Sequence, residues 1–204
     1  MPDSLPAFPA RPFSRLPFLD ARSEVAAWPL ADLDEPLLVA DDRQRALLLQ
    51  DYAQAQGQAA SGPPRPRVLR CHLQTLLDGS LDALLGNQFV IELALPAVAH
   101  EADARALAEA IAQGQARGLR VAFDQAALAS VWRPCVGQAS YLRIDAGALP
   151  QGAVGAVAAA AREHRVPLAA TAIVTAAQHA QAGAQGFSLF QGPWVMGRTP
   201  AGGV

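Results

Sequence analysis

The chain has 204 residues, 51% of them hydrophobic and 17% charged, with a formal net charge of −2. That balance suits one globular domain large enough to bury a full core, and it argues against broad disorder. No basic cluster is present to steer a polyanion, which argues against a nucleic-acid binder.

All sixteen basic residues are arginine, a usage that G- and C-rich coding favours. Cys71 and Cys135 are the two cysteines. They form no zinc spacing and no CxxC, so they read as buried reduced thiols and suit the cytoplasm. The N-terminus, MPDSLPAFPARPFSRLPF, has prolines and arginines where a signal peptide needs an apolar run. The stretch Val166–Gly197 lacks charges, but it is dominated by alanine and carries several Gln, a His and two prolines. It does not read as a membrane span.

Residues 1–15 read as a flexible lead and 16–204 as one domain. LPFLD (16–20) and EVAAWPL (24–30), separated by ARS, predict an antiparallel hairpin. DDRQRALLLQDYAQAQ places Ala46, Leu49 and Ala53 on one helical face, and QGQAASGPPRPR (56–67) is a loop. RVLRCHL (67–73) predicts a strand, QTLLDGSLDALLG helical turns, and QFVIELALP (88–96) a strand. HEADARALAEAIAQGQARG (100–118) predicts a helix with Ala104, Leu107, Ala108 and Ile111 as its inner stripe. LRVAFD (119–124) and ASYLRID (139–145) are strands. AVGAVAAAAREH is a helix, VPLAATAI a strand, VTAAQHAQAG a helix ending at Gly183, and GFSLFQG a strand.

These strands are continuous apolar runs, which marks a parallel sheet covered on both faces. Their alternation with helices implies βαβ units. That many repeats close best as a barrel, with an open doubly wound sheet as the alternative. No GxGxxG follows the first strand and no Walker-type loop is present. In a β/α barrel the chemistry lies at the C-terminal strand ends. The residues there are Trp28 with Pro29, His72, Glu92, Asp124 with Gln125, Arg143 with Asp145, Thr171 and Gln191.

FVIELALP, RGLRVAFDQAALA, ASYLRID, VPLAATAIVTAAQ and GAQGFSLFQGPWVMGRTP resemble, in order, the later strands of the EAL domain, the cyclic di-GMP phosphodiesterase type. LPFLDARSEVAAWPL resembles that family's opening hairpin, and RVLRCHL its Asn-bearing strand. The resemblance implies an α/β fold: an EAL-type modified TIM barrel with an N-terminal antiparallel hairpin. It also implies a chemistry in which carboxylates hold two divalent cations, Mg²⁺ or Mn²⁺, that cleave a phosphodiester bond.

Carried over residue by residue, the family pattern is largely dismantled here. Its first-strand Glu falls on Pro29, which has no ligand atom. Its Asn falls on His72, whose nitrogen suits zinc-type ions better than Mg²⁺. The third-strand Glu is kept as Glu92. The acidic pair is Asp124 followed by Gln125. The Lys beside the attacking water is Arg143, a rigid fork that cannot shuttle a proton. The strand-six Glu is Thr171, a further loop Glu is Val174, and the Gln is kept as Gln191. Two carboxylates cannot fix two divalent ions, and without a metal, water keeps its bulk pKa of about 15.7 instead of about 7. The phosphate-contacting Arg of the EALLR motif falls on Leu33, between Asp32 and Asp34, acids that would repel a dianion.

These features predict an inactive EAL-like domain with no cofactor. It would act as a regulatory or protein-interaction module in bacterial signalling, cytoplasmic, with a protein partner and, by family analogy, a homodimer. Cyclic di-GMP binding is not expected. The alternatives are a non-hydrolysing receptor for cyclic di-GMP or another nucleotide, and a weak residual phosphodiesterase. Glu92 and Asp124 then read as remnants held by hydrogen bonds or by Arg143. A single metal on His72, Glu92 and Asp124 is the alternative reading of the same three. His100, His164 and His179 read as solvated, and Asp32, Asp34 and Glu35 as an exposed loop or a docking patch. Trp132, Trp194 and Phe190 read as core, with Pro193–Trp194 as an alternative cover for an emptied pocket or a partner-facing surface.

Overall fold

The computed structural model describes residues 16–29, 66–79, 81–82, 89–96, 99–129, 131–146, 149 and 153–197. The lead at 1–15, the helix from Asp41 and the acids around Leu33 lie outside the described residues, as do residues 56–65 of the expected loop.

Eight strands close into a barrel in chain order. They are β1 (Phe18–Asp20), β2 (Val25–Pro29), β3 (Arg67–His72), β4 (Phe89–Ala94), β5 (Val121–Asp124), β6 (Leu142–Asp145), β7 (Leu168–Thr171) and β8 (Leu189–Phe190). β1 runs antiparallel to both β2 and β8, and every other neighbour pair is parallel. The predicted hairpin and the closed barrel are both present, and the open sheet is not.

Strand ends fall inside the predicted apolar runs, for local reasons. β4 stops short of Pro96, which has no N–H to give a ladder. β7 stops at Thr171 because Ala172 turns into the left-handed region, at φ 58°. Among the described residues five helices follow β3 to β7, and a sixth follows β8: α1 (Leu73–Leu77), α2 (Glu101–Gln115), α3 (Arg133–Val136), α4 (Ala153–Glu163), α5 (Ala176–Ala184) and α6 (Pro193–Met196). A 3-10 turn at Gln125–Leu128 precedes α3, and sequence periodicity gave no signal for either. Both are too short to show a helical stripe.

Alternation along the strands sorts side chains into two cores. Leu69, Cys71, Ile91, Leu93, Phe123 and Ile144 point outward and pack under the helices, where α2 contributes Ala104, Leu107 and Ile111. Ala108, expected in that stripe, is partly buried against the same core. Inside the barrel lies a smaller apolar floor of Phe18, Ala27, Val68, Val90, Ala122, Tyr141 and Ala169. Small alanines beside two aromatics fill this narrow interior, with Phe18 and Tyr141 rings 5.7 Å apart.

Trp132 and Phe190 are core residues, as expected. Trp194, also read as core, is half-buried and packs at a tilt against His179, which also touches Phe190. His179 and His164 are half-buried, which corrects the solvated reading, whereas His100 is exposed at the start of α2. Both cysteines are buried, and neither forms a disulfide.

The closing turn depends on Gly192, at φ 154°. A Cβ there would overlap the backbone O and N of Ile173. Ile173 N–H donates to Gln191 O and Trp194 N–H donates to Ile173 O, each at 3.1 Å, so neither segment can retreat. Gly192→Ala is expected to destabilise the barrel by about 1–3 kcal/mol or more. Gly183→Ala, on the exposed face of α5 with nothing within 4 Å of its Cβ, is expected to stabilise by about 0.5–1 kcal/mol. Denaturant unfolding of both variants checks the contrast, and equal midpoints would refute it.

Candidate functional site

The same alternation that puts Val68, Val90, Ala122 and Tyr141 in the floor sends Arg70, Glu92, Asp124 and Arg143 inward two residues later, toward the C-terminal mouth. A charged layer therefore sits on an apolar one. Glu92 is 3% exposed, an ionisable group deep in a barrel interior. Such a group must be paired or protonated.

Glu92 is ringed by partners. Arg143 Nε lies 3.0 Å from its Oε1, Arg70 Nε lies 3.7 Å from the same oxygen, and the Tyr141 hydroxyl donates to Oε2 at 3.2 Å. Asp124 is engaged from the other side, with Arg70 Nη2 3.6 Å from its Oδ2. Its Oδ1 accepts the Ala126 N–H at 2.9 Å and starts the 3-10 turn. Arg143 stands opposite Asp124 in the strand register yet pairs with Glu92. Of the two pairings open to Arg143 from sequence, the structure takes the one with Glu92.

Other positions carried over from the family are spent on the scaffold. Thr171 is buried and its hydroxyl donates to Ile144 O at 3.3 Å. Gln125 Oε1 accepts the Asp145 N–H at 3.4 Å. Gln191 Nε2 donates to Leu16 O at 2.7 Å, which ties the last strand to the start of the barrel. Val174 is 54% exposed, and its loop is held by a different residue: Gln178 Oε1 accepts the N–H groups of Val174 and Thr175, while Thr175 Oγ1 caps α5. Pro29 ends β2. His72, at the end of β3, is exposed. Among the described residues, no three of His, Cys, Asp and Glu converge as a metal-holding group, so His72, Glu92 and Asp124 are not gathered into one.

Arg70 and Tyr141 are the contributors that the family pattern did not flag. A signal for each exists in the sequence: Arg70 lies two residues before His72 and Tyr141 two before Arg143, so each shares the strand face of a position that the resemblance marks.

Burial pushes the Glu92 carboxyl up and is the largest effect, Arg143, Arg70 and the Tyr141 hydrogen bond oppose it, and the Asp124 charge adds to it. The folded carboxyl thus keeps its proton to higher pH than the unfolded one. Its contribution to stability is complete below the unfolded pKa of about 4.3 and declines as pH rises through the higher folded value. Glu92→Gln removes that decline. The melting temperature of Glu92→Gln, relative to the parent, is expected to climb between about pH 4 and pH 8. A difference that stays flat or falls across a pH series of melting curves would contradict the raised carboxyl.

No family model and no curated protein matches the chain. Solved structures do match, at low identity and high coverage. The PaMucR phosphodiesterase, in a cyclic di-GMP complex, is 16% identical with a TM-score of 0.65, over 90% of this chain and 94% of that one. Bacillus subtilis YkuI, a protein with an EAL domain solved with cyclic di-GMP and calcium, is 17% identical with a TM-score of 0.66, over 89% of this chain and 53% of that one. The Xanthomonas citri FimX EAL domain, solved with cyclic di-GMP, is 12% identical with a TM-score of 0.59, over 93% of this chain and 87% of that one. Barrel closure, the antiparallel first strand and these likenesses agree: the chain has the α/β fold of EAL domains, the barrel of cyclic di-GMP phosphodiesterases.

Proposed function

We propose that this EAL-fold domain is catalytically inactive and serves as a regulatory, protein-interaction module in bacterial signalling. The observation that carries this reading is the engagement of Glu92 and Asp124 by Arg143 and Arg70. The donor set does not fit a pair of divalent cations. Hard ions such as Mg²⁺ take several oxygen ligands, and of the ligand positions carried over from the resemblance two are carboxylates, Glu92 and Asp124, both in contact with guanidinium groups. Thr171 and Gln125 are turned to backbone groups. Where metals are bound in this fold they supply the hydroxide and the phosphoryl clamp, and the residues of this mouth offer neither. Fold kinship by itself assigns no role, so the reading rests on the site. A cytoplasmic location and a protein partner belong to the same proposal. Among the described residues no helix is long and apolar enough to cross a membrane.

A second reading, a receptor that holds cyclic di-GMP without cleaving it, has its own support. The expectation against binding came from Leu33, Asp32 and Asp34, which lie outside the described residues. Structures of this fold carry the nucleotide. The mouth also presents two guanidinium groups that suit a phosphodiester.

The inactive reading predicts no turnover of cyclic di-GMP in Mg²⁺ or Mn²⁺. Turnover abolished by Glu92→Ala would overturn it and restore the residual phosphodiesterase. Titration calorimetry with cyclic di-GMP separates the other two. Absence of heat supports the partner module, and submicromolar binding without hydrolysis supports the receptor.

A further inference from the structure

Arg70 stands directly across from Glu92 in the β3–β4 register. Its guanidinium reaches Glu92 on one side and Asp124 on the other, at 3.7 and 3.6 Å. These are ion-pair separations and not hydrogen-bond lengths, so the contact is one of charge more than of directed bonding. One cation thus spans two carboxylates delivered by two different strands, β4 and β5. Without a positive charge between them, two anions at this level of a narrow barrel would repel. Arg143 meets only part of that need, since among the described residues its ion pair is with Glu92.

We propose that Arg70 is the resident counter-cation of the barrel mouth, a tethered guanidinium that holds Glu92 and Asp124 together in place of a metal ion and closes this position to divalent cations. Arginine suits the task. It stays charged at any working pH, it is more weakly hydrated than an ammonium group, and its planar fork can face two anions at once. A side chain fixed to β3 also supplies its charge at every ion concentration, whereas the stabilisation from a bound ion falls away once the free ion drops below its dissociation constant. The inference rests on the metal-free reading above and extends it by naming the group that makes a metal unnecessary.

A double-mutant cycle on the full chain tests it, read by thermal unfolding and by the electron paramagnetic resonance signal of added Mn²⁺. Asp124→Asn keeps the oxygen that caps the 3-10 turn while removing the charge. In the parent, Asp124→Asn is expected to lower the melting temperature. In Arg70→Ala it is expected to raise it, because the uncompensated anion is gone. The non-additivity should be about 2–4 °C or more. The parent is expected to leave the free Mn²⁺ signal and its own melting temperature unchanged. If Arg70→Ala fails to fold, the cycle is run from Arg70→Gln, which fills the same space without charge, and recovery of folding by Asp124→Asn counts in favour. Equal shifts from Asp124→Asn in both backgrounds would overturn the counter-cation while leaving the inactive reading intact. Stoichiometric Mn²⁺ binding by the parent would overturn both.

Discussion

The structure is organised around a carboxylate in a place where carboxylates are costly. Glu92 sits inside the barrel just above an apolar floor, and an ion there loses most of its hydration. Arg143, Arg70 and Tyr141 converge on it from β6, β3 and the lead into β6, and Asp124 joins through Arg70. Each partner is delivered by strand alternation, so the network requires the register between strands to be kept. Breaking one side of a buried pair typically costs about 3–5 kcal/mol, because the remaining charge is left without compensation. Such a cluster therefore specifies one arrangement of the mouth, whatever its net contribution to stability.

The barrel below follows from simpler rules. Continuous apolar runs make strands that are covered on both faces, and alternation divides their side chains between the helix layer and the floor. The interior is filled by three alanines and two valines with Phe18 and Tyr141, which leaves the upper layer free to be polar. Closure at the β8 end is a matter of backbone proximity: Gly192 lies against Ile173, and Gln191 reaches back to Leu16. The resemblance marks Gln191 as a site position, and its amide donates to Leu16 O at the seam between the first and last strands.

On the proposed inactive reading, the departures from the resembled pattern are of two kinds. Pro29 and Val174 offer no side-chain donor, a fact of covalent structure. The fate of the donors that remain is a matter of geometry. Thr171 has a hydroxyl and Gln125 an amide, but both are spent on neighbouring backbone groups. Glu92 and Asp124 retain carboxyl groups, and both face guanidinium groups. The likeness to EAL domains lies in the fold, while the side chains at the strand ends set what the mouth can do.

The order and type of the main elements were legible from the sequence, because apolar runs, prolines and glycines act locally on the backbone. So was the shared inward face of Glu92, Asp124 and Arg143, since alternation fixes which strand residues turn inward. The short 3-10 turn and α3 were not, being shorter than any period that could reveal them. Nor were the half-buried state of His179 and the packing of Trp194 on it, which depend on how α5 meets the end of β8. The tertiary structure alone decided that Arg143 takes Glu92 and not the Asp124 opposite it, and that Arg70 spans both acids. Those pairings depend on distances between strands that are far apart in the chain, set by closure of the barrel, and no local pattern encodes them.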